Sequence, residues 1–361
     1  MSWIVAARRT AVVPVCGAFR RLAVHELAAP VIGACLADAG IGLGDVEEII
    51  LSNALGAGGN PARLVALAAG LPDSVAGLSI DRQCAGGLDA VVLARALVDS
   101  GAARIVVAGG AESYSRRPLR FATDPDGGVA VAYDRPAFTP FRDRDPDMHG
   151  AAAVLAQYMG YGRDRLDAWA VASHAKAMAA RAALRGEILA LEGVCDDAFT
   201  RALTPALAAR AKVIEGVITV ANTAVAADAA GFVIVSSEPL GPSPVRILAG
   251  AARGGVPEQP GLAPVVAVEE VLRSLGITPA GLAMAEIMEA YAAQVLACVE
   301  VLGIDPAIVN PQGGALARGH PIGASGAILA VRLFHGLKRG RGLAAIAAAG
   351  GIGTALVVER R

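Results

Sequence analysis

The 361-residue chain reads as an α/β protein made of two similar halves. Three observations predict this. A pattern of Gly-bearing corner, Ala/Leu/Val stretch with helical spacing, apolar strand-like run and Gly-Gly pair occurs once around residues 79–110 and again around 310–351. The composition is dominated by small residues: 55% hydrophobic with 43 glycines but only 4% aromatics, which suits helices laid closely on sheets. Between the halves, residues 114–147 gather clustered Arg, Asp and Pro, and read as an exposed excursion.

In chain order, residues 3–8 read as a strand and 25–39 as a helix stopped by Gly40-Ile41-Gly42. Residues 46–51 are strand-like. Residues 60–69 form a short helix, capped by Asn60 with Pro61 at its first position. A helix follows Cys84 as far as Asp99, and 103–108 is a buried strand closed by Gly109-Gly110. The excursion holds a helical segment over 163–184. Residues 221–237 are apolar again and return the chain to the first half; the second half starts near Pro244. A turn at His320 leads into a helix over 324–337, the basic break Lys338-Arg339-Gly340-Arg341, and a strand over 343–348 closed by Gly350-Gly351.

A formal net charge of −1, a pI near 6.5 and the lack of a basic stripe exclude nucleic acid as a partner. The five cysteines (Cys16, Cys35, Cys84, Cys195, Cys298) are dispersed, with no C-x-x-C pair. They read as reduced thiols, not a disulfide frame or a zinc site. The start of the chain has no signal-peptide pattern, and the apolar stretch 342–358 is glycine-broken and short for a span. The expectation is a soluble cytoplasmic protein with no membrane partner.

Chemistry concentrates at the two corners. In Ser79-Ile80-Asp81-Arg82-Gln83-Cys84-Ala85-Gly86-Gly87-Leu88, Cys84 falls at a strand-to-helix corner, in the first turn of the helix. The free N–H groups and positive dipole end of that turn favour a thiolate, and Gly86 and Gly87 allow close approach of another group. A small buried cysteine at a packed corner is the alternative. The second corner, Asn310 to Gly326, carries His320. A cysteine corner and a histidine corner on similar units suit a nucleophile and its base; a histidine that only hydrogen-bonds its turn is the alternative there.

These motifs resemble the thiolase family. R-Q-C-A-G-G-L at residues 82–88 and G-H-P-I-G-A-S-G at 319–326 match its double signature. The likeness also covers Ile4-Val5-Ala6-Ala7-Arg8-Arg9-Thr10, Asn60-Pro61-Ala62-Arg63, Ala108-Gly109-Gly110-Ala111-Glu112-Ser113 and Asp167-Ala168-Trp169-Ala170-Val171-Ala172-Ser173. The resemblance implies the thiolase fold, a five-layered α/β/α/β/α sandwich. Its domains would be 1–114 plus 222–243, a loop domain at 115–221 covering the coenzyme A site, and 244–361. It implies an acyltransferase of acetyl-CoA acetyltransferase type, with an acyl-CoA as substrate, no permanently bound cofactor and no metal. Cys84 would carry the acyl group, His320 would be its base, and the backbone N–H groups of Cys84 and Ala349 would form an oxyanion hole. A homodimer or homotetramer is implied too.

The departures bear on the second half of the reaction. The family's N-E-A-F-A is Met288-Glu289-Ala290-Tyr291-Ala292 here, and its C-x-G-G-G-x-G is Ala347-Ala348-Ala349-Gly350-Gly351-Ile352-Gly353. The asparagine that holds a water is thus Met288, a weak acceptor and no donor. The second cysteine, the acid/base at the substrate's α-carbon, is Ala347. The family's H-M-G appears as Asp147-Met148-His149-Gly150, and its pantetheine-touching serine as Ala224. Met148, Met288 and Tyr291 are expected in the substrate pocket. His149 is the candidate replacement acid/base, with a solvated loop histidine as the alternative. Cys298 reads as core, Glu112 as a structural hydrogen-bonder and Ser325 as a helix cap. Retained Cys84 and His320 beside lost Ala347 and Met288 leave three readings: an acetyl-CoA acetyltransferase; a specialised acyltransferase or hydrolase with a non-CoA acceptor, in some cases working with a small partner protein; or a non-catalytic coenzyme A-binding scaffold.

Overall fold

The computed structural model describes residues 1–56 and 58–361. The first half begins with β1 (Ser2–Thr10), α1 (Val24–Ala39), β2 (Glu48–Ser52), α2 (Pro61–Ala68), β3 (Leu78–Ile80), α3 (Gly86–Asp99) and β4 (Ile105–Glu112). The excursion follows with α4 (Met148–Tyr158) and α5 (Arg163–Ala179), and the chain returns in β5 (Ala227–Ser236). The second half comprises β6 (Val245–Gly254), α6 (Ala263–Leu275), β7 (Met284–Ile287), α7 (Ala292–Leu302), α8 (Ala315–Arg318), α9 (Ile322–Gly336), β8 (Gly340–Ala348) and β9 (Ile352–Arg360).

The two halves repeat one topology. Strand order is β2-β4-β5-β1 in the first and β7-β8-β9-β6 in the second, with β3 on the outer edge of the first. In each, a crossover that ends in the central helix, α3 or α9, joins two parallel strands, β2 to β4 and β7 to β8. The halves meet edge to edge where β1 pairs antiparallel with β6 through Ser2↔Ile247, Trp3↔Arg246 and Ile4↔Val245.

Alternation along the strands sorts side chains into layers. Ile50, Val106 and Val233 face inward to α3 and α9, together with Ile346 and Leu356 from the second half. Ile49, Leu51, Val107 and Phe232 face outward to Val31, Ile32 and Leu36 of α1. Ala285, Leu343 and Val357 pack on Val268 and Val271 of α6 and Val295 of α7. The result is five layers, α/β/α/β/α, with α3 and α9 enclosed in the middle.

Element positions agree with the sequence to within a few residues, and Asn60 accepts from the Arg63 N–H as a cap ahead of Pro61. One feature differs. Gly109 and Gly110 do not close β4; the strand runs through them to Glu112, paired with Phe232 and Gly231. The reason is the depth at which α9 lies on the sheet: a Cβ at Gly110 would sit 2.1 Å from the Gly323 carbonyl oxygen. The two central helices touch in the same way. A Cβ at Gly87 would meet the Ala327 nitrogen at 2.6 Å, and one at Gly326 the Leu88 nitrogen at 2.4 Å. Gly110→Ala is therefore expected to lower stability by about 1–3 kcal/mol, seen as an earlier urea midpoint with an unchanged slope. A variant as stable as the parent would show that α9 can retreat from the sheet.

Candidate functional site

Cys84 and His320 occupy equivalent places, each two residues ahead of the first residue of its central helix, Gly86 or Ile322. Close packing of α3 on α9 brings the corners together. Cys84 Sγ lies 3.1 Å from His320 Nε2. His320 Nδ1 lies 2.6 Å from Ser325 Oγ; in the tautomer in which Nε2 accepts from the thiol, Nδ1 carries the imidazole proton and donates to that hydroxyl. Ser325 thus fixes the ring's tautomer and angle, a role the sequence reading assigned to capping. On the other side the His320 N–H donates to the Val225 carbonyl at 2.7 Å.

Cys84 is not in the first turn of α3, so the expected pull of the helix end toward a thiolate is not what governs it. Burial pushes the Cys84 thiol up to about 12, and burial pushes the His320 imidazole down to about 4. The resting pair is neutral: thiol and imidazole. The turn ahead of Cys84 is tight, with Gln83 in the left-handed region at φ +50° and its N–H donating to Asp81.

Glu112 holds the surroundings in place. Its carboxyl group receives four donors: Asn53 Nδ2 at 2.7 Å and the N–H groups of Ala54, Leu55 and Gly323 at 3.0, 3.2 and 3.0 Å. Burial pushes this group up to about 7, opposed by those donors. It ties the end of β4 to the start of α9 and so to His320.

A cavity of about 300 Å³ opens on the pair. Cys84, His320, Ile322 and Ala347 to Ala349 line it, together with residues of α4, the Pro260-Gly261 turn, Tyr291 and Gln294. Ala224 and Thr223 border it from a segment laced to its neighbours: Ala224 N–H donates to the Ala290 carbonyl, and Ala292 N–H to that of Asn222. Met148, His149 and Tyr291 all reach the cavity. Tyr291 Oη is 3.0 Å from His149 Nδ1, with the rings edge to face. Burial holds the Tyr291 phenol well above its ordinary range, so it keeps its proton and can donate it to an unprotonated Nδ1. His149 is therefore a hydrogen-bonded member of the cavity wall, and its pairing with Tyr291 was not visible in the sequence. Met288 departs from expectation: it is buried in the core between the sheets and does not border the cavity. A thioether at the end of an inward-facing strand packs there with apolar neighbours. Cys298 is buried core, as its helical spacing suggested. Among the described residues no His, Cys, Asp or Glu cluster could hold a metal ion, and no helix is long and apolar enough to cross a membrane.

Two predictions follow from the geometry. With the His320 nitrogen free to accept a proton at any pH well above 4, acylation of Cys84 by a neutral acylating reagent should vary less than about threefold from pH 5.5 to 9; a fall centred near 6.5 would show an imidazole of ordinary basicity. Glu112→Gln puts an amide NH₂ against two donors, so a loss of about 1–3 kcal/mol in urea unfolding is expected, and an unchanged midpoint would mean the pocket readily rearranges.

Comparison with known proteins agrees with this architecture. The family model described as thiolase, N-terminal domain, matches residues 2–239, and that described as thiolase, C-terminal domain, matches 238–360. The Bacillus subtilis protein YhfS is 40% identical over 375 residues, covering 99% of this chain and 98% of that one. The acetyl-CoA acetyltransferase of Cupriavidus necator is 37% identical over 391 residues, covering 99% of both. In three dimensions the chain resembles the Acat5 thiolase of Ascaris suum, crystallised in complex with coenzyme A, with a TM-score of 0.92, 29% identity and full coverage of both chains. With its whole length matched in sequence and fold, the chain belongs to the thiolase family.

Proposed function

We propose that this chain is an acyltransferase that takes an acyl group from a coenzyme A thioester onto Cys84 and passes it to an acceptor. The observation that carries the reading is the 3.1 Å contact between Cys84 Sγ and His320 Nε2 at the wall of a cavity. As Sγ attacks the thioester carbonyl carbon, its proton moves to Nε2, and the Ser325 contact supports the imidazolium. The backbone N–H groups of Cys84 and Ala349 receive the oxyanion. Collapse breaks the carbon–sulfur bond to coenzyme A, whose thiolate leaves with the proton from His320. Residues 115–221 act as the cover over coenzyme A, and the open edge at β3, where Leu78 is exposed, supports self-association as a dimer or tetramer.

The second half-reaction differs from ordinary carbon–carbon chemistry. Ala347 borders the cavity but has no proton to give or take at a substrate α-carbon. The Tyr291–His149 pair takes the acid/base role for an acceptor that carries its own acidic hydrogen, on oxygen, nitrogen or an activated carbon. The phenolic oxygen receives the acceptor's proton while the phenol's own proton passes to His149 Nδ1. The acceptor attacks the acyl carbonyl and the Cys84 thiolate leaves; His149 releases the proton taken from the acceptor to solvent, and His320 relays one from solvent to the Cys84 thiolate.

Intact mass after a rapid quench with acetyl-CoA tests the first step: a Cys84-dependent adduct is expected, and His320→Ala should slow its formation by about 10²–10⁴-fold. A protein that stays unmodified across several acyl lengths would favour a binding role. For the second step, acetoacetyl-CoA thiolysis should be at least about 10²-fold slower than Cys84 acylation, and Ala347→Cys should raise it. Robust thiolysis by the unaltered protein would return it to the acetyl-CoA acetyltransferases in the full sense.

A further inference from the structure

The cavity that Cys84 lines is apolar along most of its wall, yet two of its lining residues carry a buried polar atom with no hydrogen-bond partner among the described residues: Gln294 Oε1 and Thr223 Oγ1. Gln294 is 3% exposed. Among the described residues its only side-chain hydrogen bond is a long one, Nε2 to Cys298 Sγ at 3.6 Å, and that sulfur already donates to the Gly261 carbonyl at 3.2 Å. Exchanging the amide's oxygen and nitrogen does not resolve the matter, because whichever atom turns from the sulfur is left unpaired. An acetyl group carries no polar hydrogen to donate to the Gln294 oxygen. A buried polar group without a partner is costly, so such groups are ordinarily matched by solvent or by a ligand.

Gln294 stands one turn into α7 from Tyr291, against the Pro260-Gly261 turn, where a Cβ at Gly261 would lie 3.6 Å from Gln294 Cγ and 2.6 Å from Leu155 Cδ2. It therefore lines the same cavity as Cys84, into which an acyl group held on that sulfur would enter. We infer that the pocket selects an acyl group longer than acetyl that bears a hydroxyl, with Gln294 accepting its hydrogen bond and Thr223 contributing a second polar contact. The inference rests on Cys84 being the acyl carrier. A site built to pair a substrate hydroxyl discriminates strongly against the analogue lacking it, because the site's own polar groups are then left unmatched.

The test compares the second-order rate of Cys84 acylation by butyryl-CoA with those of 2-, 3- and 4-hydroxybutyryl-CoA, followed by intact mass, in the unaltered protein and in Gln294→Met. At least one hydroxybutyryl isomer should react about tenfold or more faster than butyryl-CoA, and Gln294→Met should bring that ratio close to one. Equal rates for all four thioesters overturn the inference and leave the acyl-enzyme reading standing. A ratio that survives Gln294→Met, or a variant that weakens all four equally, also overturns it; the latter assigns Gln294 to the pantetheine arm common to them. Absence of an adduct with every thioester overturns the acyl-enzyme reading, and this inference with it.

Discussion

The structure depends on how closely two helices can approach. α3 and α9 are sandwiched between the sheets, and they meet backbone to backbone at Gly87 against Ala327 and Gly326 against Leu88. Side chains at those glycines would force the helices apart by more than an ångström. Because Cys84 and His320 each precede one of these helices by two residues, the helix contact is also the contact that sets the thiol–imidazole distance. Gly110 repeats the constraint from the sheet, letting α9 settle onto β4, and Glu112 at the end of β4 then reaches the Gly323 N–H. The abundance of small residues is thus the means by which two distant segments share a site.

The same enclosure decides the electrostatics. A thiol and an imidazole in water exchange a proton readily, but here burial disfavours either charged form, so the pair rests neutral. Charge develops only as the sulfur attacks a carbonyl, when backbone donors can receive the oxyanion and Ser325 can support the imidazolium. A resting thiol of this kind is also less exposed to adventitious oxidation, which follows thiolate character. Elsewhere the interior tolerates charge where it is paired: Arg9 is fully buried between Glu187 and Asp197, both at 2.6 Å, which fastens the excursion to β1.

What could be read in the sequence follows from what periodicity and local chemistry encode. The repeated halves, the helix and strand positions, the Asn60 cap and the two chemical corners all leave local signals, and each is found within a few residues of its expected place. Contacts between distant segments leave none. Gly109-Gly110 looks like a strand end because glycine commonly marks one; only the position of α9 explains a glycine pair inside a ladder. Ser325 looks like a cap, since nothing local says that His320 Nδ1 lies 2.6 Å away. Tyr291 and His149 are 142 positions apart, and their pairing exists only once α4 lies against the start of α7. Met288 was placed by motif alignment, and motif alignment does not reveal which face of a strand end is apolar. The edge pairing of β1 with β6, which makes one continuous sheet of two halves, is likewise a tertiary fact.

The site's two sets of residues carry different histories of constraint. Cys84, His320, Ser325 and the close glycines form one interlocked unit: altering any of them disturbs the distance on which the others act. Ala347, His149, Tyr291 and Thr223 border the cavity but do not hold that distance. In the proposed function they bear on the acceptor and the acyl group, not on the thiol–imidazole distance. An alanine in place of a proton carrier, next to a new phenol–imidazole pair and an unmatched amide, is coherent as a change of partner for the acyl group. It is less coherent as decay, because random loss would have no reason to spare the thiol–imidazole–hydroxyl chain while adding a second hydrogen-bonded pair to the same cavity.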